Sequence, residues 1–179
     1  MNKPGFKRGR KETEKSEFDQ YILDLARVTR VTKGGKHLSF RACVIIGDRH
    51  GRVGYGVAKG KDVQLGVEKA VNQAKKHIVK VSIVKETIPH TVLSKFKAAK
   101  IMLKPAPKGS GIIAGGASRS VLELAGVPNV SAKILGKTKN KIAVVKATFA
   151  ALQSFKRVAA GPKRVAEKDA EKTAAPIKE

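Results

Sequence analysis

The sequence predicts an α+β chain of two units in tandem: three antiparallel strands followed by a helix, then an α/β unit in which strands and helices alternate. Three observations predict it. Residues 21–32 are β-rich, the runs over 37–46 and 52–58 divide into two faces with the period of two that strands require, and glycine-bearing turns separate the three. Residues 63–79 then repeat apolar side chains at helical spacing. Beyond residue 80, β-branched runs, proline and glycine breaks and further helical stripes succeed one another.

The first strand is expected over 21–32 (YILDLARVTRVT), closed by the turn Lys33-Gly34-Gly35-Lys36. The second, over 37–46, sets Phe40, Ala42, Val44 and Ile46 on one face and Arg41, Cys43 and Ile45 on the other. A second turn, Gly47-Asp48-Arg49-His50-Gly51, leads into a third strand over 52–58. That strand carries Val53, Tyr55 and Val57 on one face and Gly54 and Gly56 on the other, bare backbone that some other element must approach closely. Asp62 is the candidate N-cap of a helix over 63–79, whose stripe is Val63, Val67, Ala70, Val71, Ala74 and Ile78. Strands followed by a helix is the order of a double-stranded-RNA-binding type of domain without its usual leading helix.

In the second unit a β-branched run over 82–88 ends at Pro89, and 91–96 and 100–103 form a strand pair bearing Lys95, Lys97, Lys100 and Lys104. A glycine-rich stretch over 105–116 precedes a helix that starts near Ala117 or Ser118, reaches Ala125 and is stopped by Gly126, with Pro128 beyond. A short strand over 130–135, a lysine turn over 136–141 and a helix over 142–155 complete the unit. The expected divisions are a flexible basic arm over 1–20, units over 21–80 and 81–156, and a disordered lysine-rich tail over 157–179.

Charge narrows the function. Thirty-eight Lys and Arg face fourteen Asp and Glu, a formal net charge of +24. Between residues 87 and 166 the only acid is Glu123, against fifteen Lys and Arg. A folded segment this one-sided repels itself unless a polyanion neutralises it. One cysteine, Cys43, excludes an internal disulfide and a cysteine-based zinc site. No apolar run approaches the roughly 20 residues that cross a bilayer, and the polar opening does not read as a signal peptide. The expectation is a cytoplasmic, nucleic-acid-bound protein with no membrane partner.

The candidate RNA-binding cations are Arg27, Arg30, Lys33 and Lys36 around the first turn and Arg49 and Arg52 around the second. Lys59 and Lys61 at the end of the third strand, and Lys133 and Lys137 in the second unit, join them. Glycines between cations let backbone N–H groups and side chains both reach phosphate oxygens. Catalysis lacks an inventory. The stretch GSGIIAGG is not closed by the Gly-Lys-Ser/Thr of a nucleotide loop, and Glu123 has no partner for acid–base work. The four histidines have no ligand spacing, so no catalytic residue, metal, cofactor or small-molecule substrate is expected. Two other readings compete: a free-standing double-stranded-RNA or DNA-binding regulator using the first unit, and a nucleotide-dependent small-molecule kinase using the second.

Gly35-Lys36, Phe40, Ala42, the spacing Gly47-Asp48-x-x-Gly51-x-Val53-Gly54-x-Gly56, and a helix with Ala70 and Ala74 form one motif. KGSGIIAGGASRSVLELAGVPNVSAKILG forms a second. Together, over about 21–156, the chain resembles the bacterial small-subunit ribosomal protein of family five. The resemblance implies an N-terminal domain like a double-stranded-RNA-binding fold and a C-terminal α/β domain with a βαβ crossover, a fold shared with some small-molecule kinases. It implies small-subunit rRNA as ligand, ribosomal proteins four and eight as neighbours, mRNA nearby at its entry path, and an influence on decoding accuracy. By the same matching, Thr29, Arg30, Val31, Thr32, Lys33, Gly34 and Gly35 form the loop near the spectinomycin site. Gly111 and Arg119 fall where the family contacts protein four and tunes fidelity. The chain departs from the family over 93–99, where more glycine is usual.

Overall fold

The computed structural model describes residues 17–155 of the 179-residue chain. The expected tail over 157–179 and most of the expected arm lie outside the described residues. Strand β1 (Asp19–Thr32) already includes Asp19 and Gln20, the last two residues of that expected arm. β2 (Gly35–Gly47), β3 (Arg52–Gly60), helix α1 (Val63–Lys76) and β4 (Ile78–Lys80) follow, and the strands form an antiparallel sheet in the order β1-β2-β3-β4. β4 corrects the expected helix end. His77 leaves helical geometry, and Ile78 and Val79, β-branched and poor at prolonging a helix, pair with Gly54 and Val53 instead. Asp62 occupies the N-cap, but its carboxylate makes no capping bond; its carbonyl accepts from the Gly66 N–H at 3.0 Å.

The second sheet runs β5-β6-β8-β7, from β5 (Val92–Phe96), β6 (Ala99–Pro105), β7 (Ile112–Ile113) and β8 (Val130–Ile134). Helix α2 (Gly116–Leu124) links β7 to β8, which pair in parallel, so these three elements form the βαβ unit. Helix α3 (Lys141–Gln153) closes the described fold. The run over 82–88 makes only isolated bridges, Val84 with Thr87 and Thr87 with Asn129.

Both faces of β2 are covered, which is why its apolar residues from Ala42 to Ile46 are contiguous and at most 1% exposed. Ala42, Val44 and Ile46 pack on Ala70 and Ala74 of α1. Gly54 and Gly56 let that helix settle. A Cβ at Gly54 would lie 2.6 Å from the Ala74 carbonyl oxygen, and one at Gly56 would overlap the Ala70 carbonyl. The opposite face contributes Ile45 and Val53 to a larger core that contains Ile101, Leu103, Leu122 and Phe149. Tyr55 packs against Phe149 in a tilted ring pair, with centroids 4.6 Å apart and planes at 57°. α3 is thus a central helix, and eight of its residues are buried. One core runs through both sheets.

Candidate nucleic-acid interface

β1 and β2 stay paired from Asp19–Gly47 to Thr32–Gly35, whereas β3 accompanies β2 only as far as the Phe40–Gly60 pair. Past that point the hairpin continues as an arm of two strands. Cross-strand pairing puts Arg27, Val31, Lys36 and Leu38 on one face and Arg30 and His37 on the other, with Lys33 in the turn. Gly35, at φ +127, makes the turn, and the Thr32 hydroxyl donates to its carbonyl at 3.3 Å. Arg27, Arg30, Lys33 and Lys36 are all exposed, and none enters an ion pair among the described residues. Val31 and Leu38 are 71% and 54% exposed. A narrow arm with cations on both faces and at its tip can enter a groove and meet phosphates on either side. Lys59 and Lys61 flank Gly60 at its base, exposed.

Arg49 and Arg52 are placed differently. Arg49 Nε lies 2.9 Å from Asp19 Oδ2; Arg52 Nε lies 2.6 Å from Asp48 Oδ2, and its Nη2 lies 2.9 Å from Glu17 Oε1. Besides Asp48, the fold brings Glu17 and Asp19 from the start of the described chain against these two cations. Asp48 also accepts the N–H groups of His50 at 2.7 Å and Arg52 at 2.9 Å. Partial burial opposes its ionisation, yet the bonds from the Arg52 side chain and from these amides outweigh it and lower the carboxyl to about 2. The turn also ties the units together: the Arg49 N–H donates to Leu124 O at 3.1 Å and the Gly51 N–H to Ala125 O at 3.0 Å.

The remaining candidates sit on the second unit. Lys133 is exposed on β8 opposite Met102, and Lys137 is exposed in the turn before α3, whose N-cap Asn140 accepts from Ile142 and Ala143. The ten cations therefore do not converge on one spot. Six gather on and below the hairpin arm, two are held in the inter-unit turn, and two lie on the far unit.

The glycine-rich loop is organised by residues that sequence reasoning missed. Asn129, 5% exposed, accepts from the Gly109 N–H at 3.0 Å and the Gly111 N–H at 3.1 Å through one side-chain oxygen. Thr87 donates to the Asn129 carbonyl at 2.7 Å and accepts from Ala106 at 3.2 Å. The amides that a nucleotide-binding loop would turn toward phosphate are here spent on an asparagine. The only sequence signal was a polar residue directly after Pro128, at the head of a strand.

Two family models match this chain in tandem: Ribosomal protein S5, N-terminal domain, over residues 18–82, and Ribosomal protein S5, C-terminal domain, over 94–168. The chain belongs to the ribosomal protein S5 family. The first match spans the sheet that carries the arm, with α1; the second spans the βαβ unit and α3. An S5-family chain is a structural protein of the small ribosomal subunit, of a family that is generally non-enzymatic. Among the described residues no helix is long and apolar enough to cross a membrane, and no three His, Cys, Asp or Glu gather as metal ligands. In this S5 chain the glycine-poor hairpin between β5 and β6 turns through Lys97 at φ +53, the left-handed conformation that glycine would adopt without strain. Gly111 lies in the loop held by Asn129, at φ +68 with open space around it; Arg119 lines a cleft between α2 and the start of β1, with Asp19, Arg49 and Glu123.

Proposed function

We propose that this S5-family protein binds small-subunit rRNA through the β1–β2 arm, near the mRNA entry path, and supports decoding accuracy, with ribosomal proteins four and eight as neighbours. The observation that carries the reading is the arm itself: a two-stranded extension past β3 whose Arg27, Arg30, Lys33 and Lys36 are exposed and outside every ion pair among the described residues. Lys59 and Lys61 extend the cationic surface to its base, and Lys133 and Lys137 add contacts from the second unit. Gly111 and Arg119 are assigned to the contact with protein four, and the loop from Thr29 to Gly35 to the neighbourhood of the spectinomycin site. Arg49 and Arg52 are the weakest members of the set, because their charges already face carboxylates. Base stacking has little part, since aromatic residues make up only 4% of the chain.

The test is the salt dependence of binding to purified small-subunit rRNA. Eight cations, the ten candidates less Arg49 and Arg52, neutralising about eight phosphates give a slope of log affinity against log salt of about −6 to −7. A slope near zero overturns the electrostatic reading. Substituting Arg30 or Lys33 by Ala is expected to change the response of cells to spectinomycin. Tight binding to any duplex, with no sedimentation alongside the small subunit, favours the free-standing regulator instead.

A further inference from the structure

Among the described residues the second sheet is covered on one face only. Ala99, Ile101, Leu103, Val130 and Ala132 turn inward to the core shared with α2 and α3. No described helix lies on the other face. Across it the register sets Lys95 beside Lys100, Leu93 beside Met102, and Met102 in turn beside Lys133; Lys104 stands two residues beyond Met102. All four lysines are exposed, as is Leu93 at 56%. Among the described residues, the strands place no carboxylate and no aromatic ring on this face. Like charges directly opposite on neighbouring strands, as at Lys95 and Lys100, oppose sheet formation unless an anion lies over them.

We propose that this open face is a second RNA-binding surface, which seats a sugar-phosphate backbone across β5, β6 and β8 independently of the hairpin arm. The proposal rests on the rRNA reading above and deepens it. Charge complementarity selects an anionic occupant, and composition selects RNA over protein. The centres of protein–protein interfaces are depleted in lysine, whereas nucleic-acid interfaces are enriched in positive charge. With no ring to stack a base, the lysine heads meet phosphates, while Leu93 and Met102 pack beneath the ribose.

Lysine acylation of the full-length protein, free and bound to purified small-subunit rRNA, tests the proposal by mass spectrometry. The expected result is several-fold protection of Lys95, Lys100, Lys104 and Lys133 by RNA alone. Adding Lys95, Lys100 and Lys104 to the eight cations above steepens the expected slope to about −8 to −10, and the triple variant Lys95→Ala, Lys100→Ala and Lys104→Ala is expected to reduce it by about 2–3 and weaken binding at least tenfold. These side chains stand in solvent, and an unchanged circular-dichroism melt verifies that the variant folds. If Lys33 and Lys36 are protected while the sheet lysines stay reactive, the second surface is overturned and the arm reading stands. Protection of the sheet lysines only after other ribosomal proteins join the particle overturns it too, in favour of a protein contact. Protection of neither set overturns the rRNA reading itself.

Discussion

Arg49 and Gly126 meet backbone to backbone where the two sheets join: Gly126 sits at φ +73, and a Cβ there would overlap the Arg49 carbonyl. Gly47, on the same turn, leaves no space for a Cβ against the Leu124 carbonyl. The hydrogen bonds that the Arg49 and Gly51 N–H groups donate to the end of α2 depend on this approach.

Gly126→Ala therefore combines a left-handed backbone with steric overlap and is expected to cost about 2–4 kcal/mol. Gly47→Ala is strained by overlap alone and is expected to cost about 1–3 kcal/mol. Urea unfolding followed by far-ultraviolet circular dichroism measures both. A change below about 0.5 kcal/mol at Gly126 would mean that the seam readily reshapes.

Asn129→Ala removes the acceptor shared by Gly109 and Gly111 and is expected to destabilise the protein by about 1–3 kcal/mol. Amide exchange at Gly109 and Gly111 should accelerate more than exchange in β6. Equal acceleration everywhere would show that the side chain supports the whole unit and not this loop.

The lowered Asp48 carboxyl sets a direction for pH. Its folded value, about 2, is below the ordinary 3.8, so its contribution to stability is complete above about pH 4 and is lost as pH falls through about 2. Asp48→Asn should lower stability at neutral pH and flatten the acid limb of a stability–pH curve over that window. An acid limb of unchanged steepness would assign it to other carboxylates.

Burial, aided by the nearby Asp24 carboxylate, pushes the Cys43 thiol up to about 11. The native protein is expected to resist a disulfide thiol reagent at neutral pH and to react with one equivalent once unfolded. Rapid native labelling would mean that the sheet opens on the time scale of the assay.

Much of this fold was legible locally. Alternation placed β2 and β3, and Gly54 and Gly56 announced a close approach before α1 was known to make it. The parts that were missed depend on distant chain. β4 and β7, of three and two residues, exist because a neighbouring strand offers hydrogen bonds, and their own sequences are too short to show a period. The cations were legible as a set but not as partners. Nothing in the sequence around Arg52 indicates that Glu17, 35 residues earlier, returns to its guanidinium. Val63, expected in the α1 stripe, is 37% exposed, because the buried line of the helix runs through Gly66, Ala70 and Ala74 instead.

The face of the first sheet that carries Ile45, Val53 and Tyr55 is completed by Phe149 and Leu152, nearly a hundred residues later in the chain. A ribosome making about 5–20 residues per second adds the stretch between β4 and α3 in several seconds. For that interval the new sheet presents a sticky flank to the cytosol, although its arm and α1 are already synthesised. Burial of each such side chain is worth about 1.5–3 kcal/mol, so the early sheet gains its full stability only when α3 emerges. A chain ending before α3 would leave Ile45, Val53 and Tyr55 without the apolar partners that Phe149 and Leu152 supply.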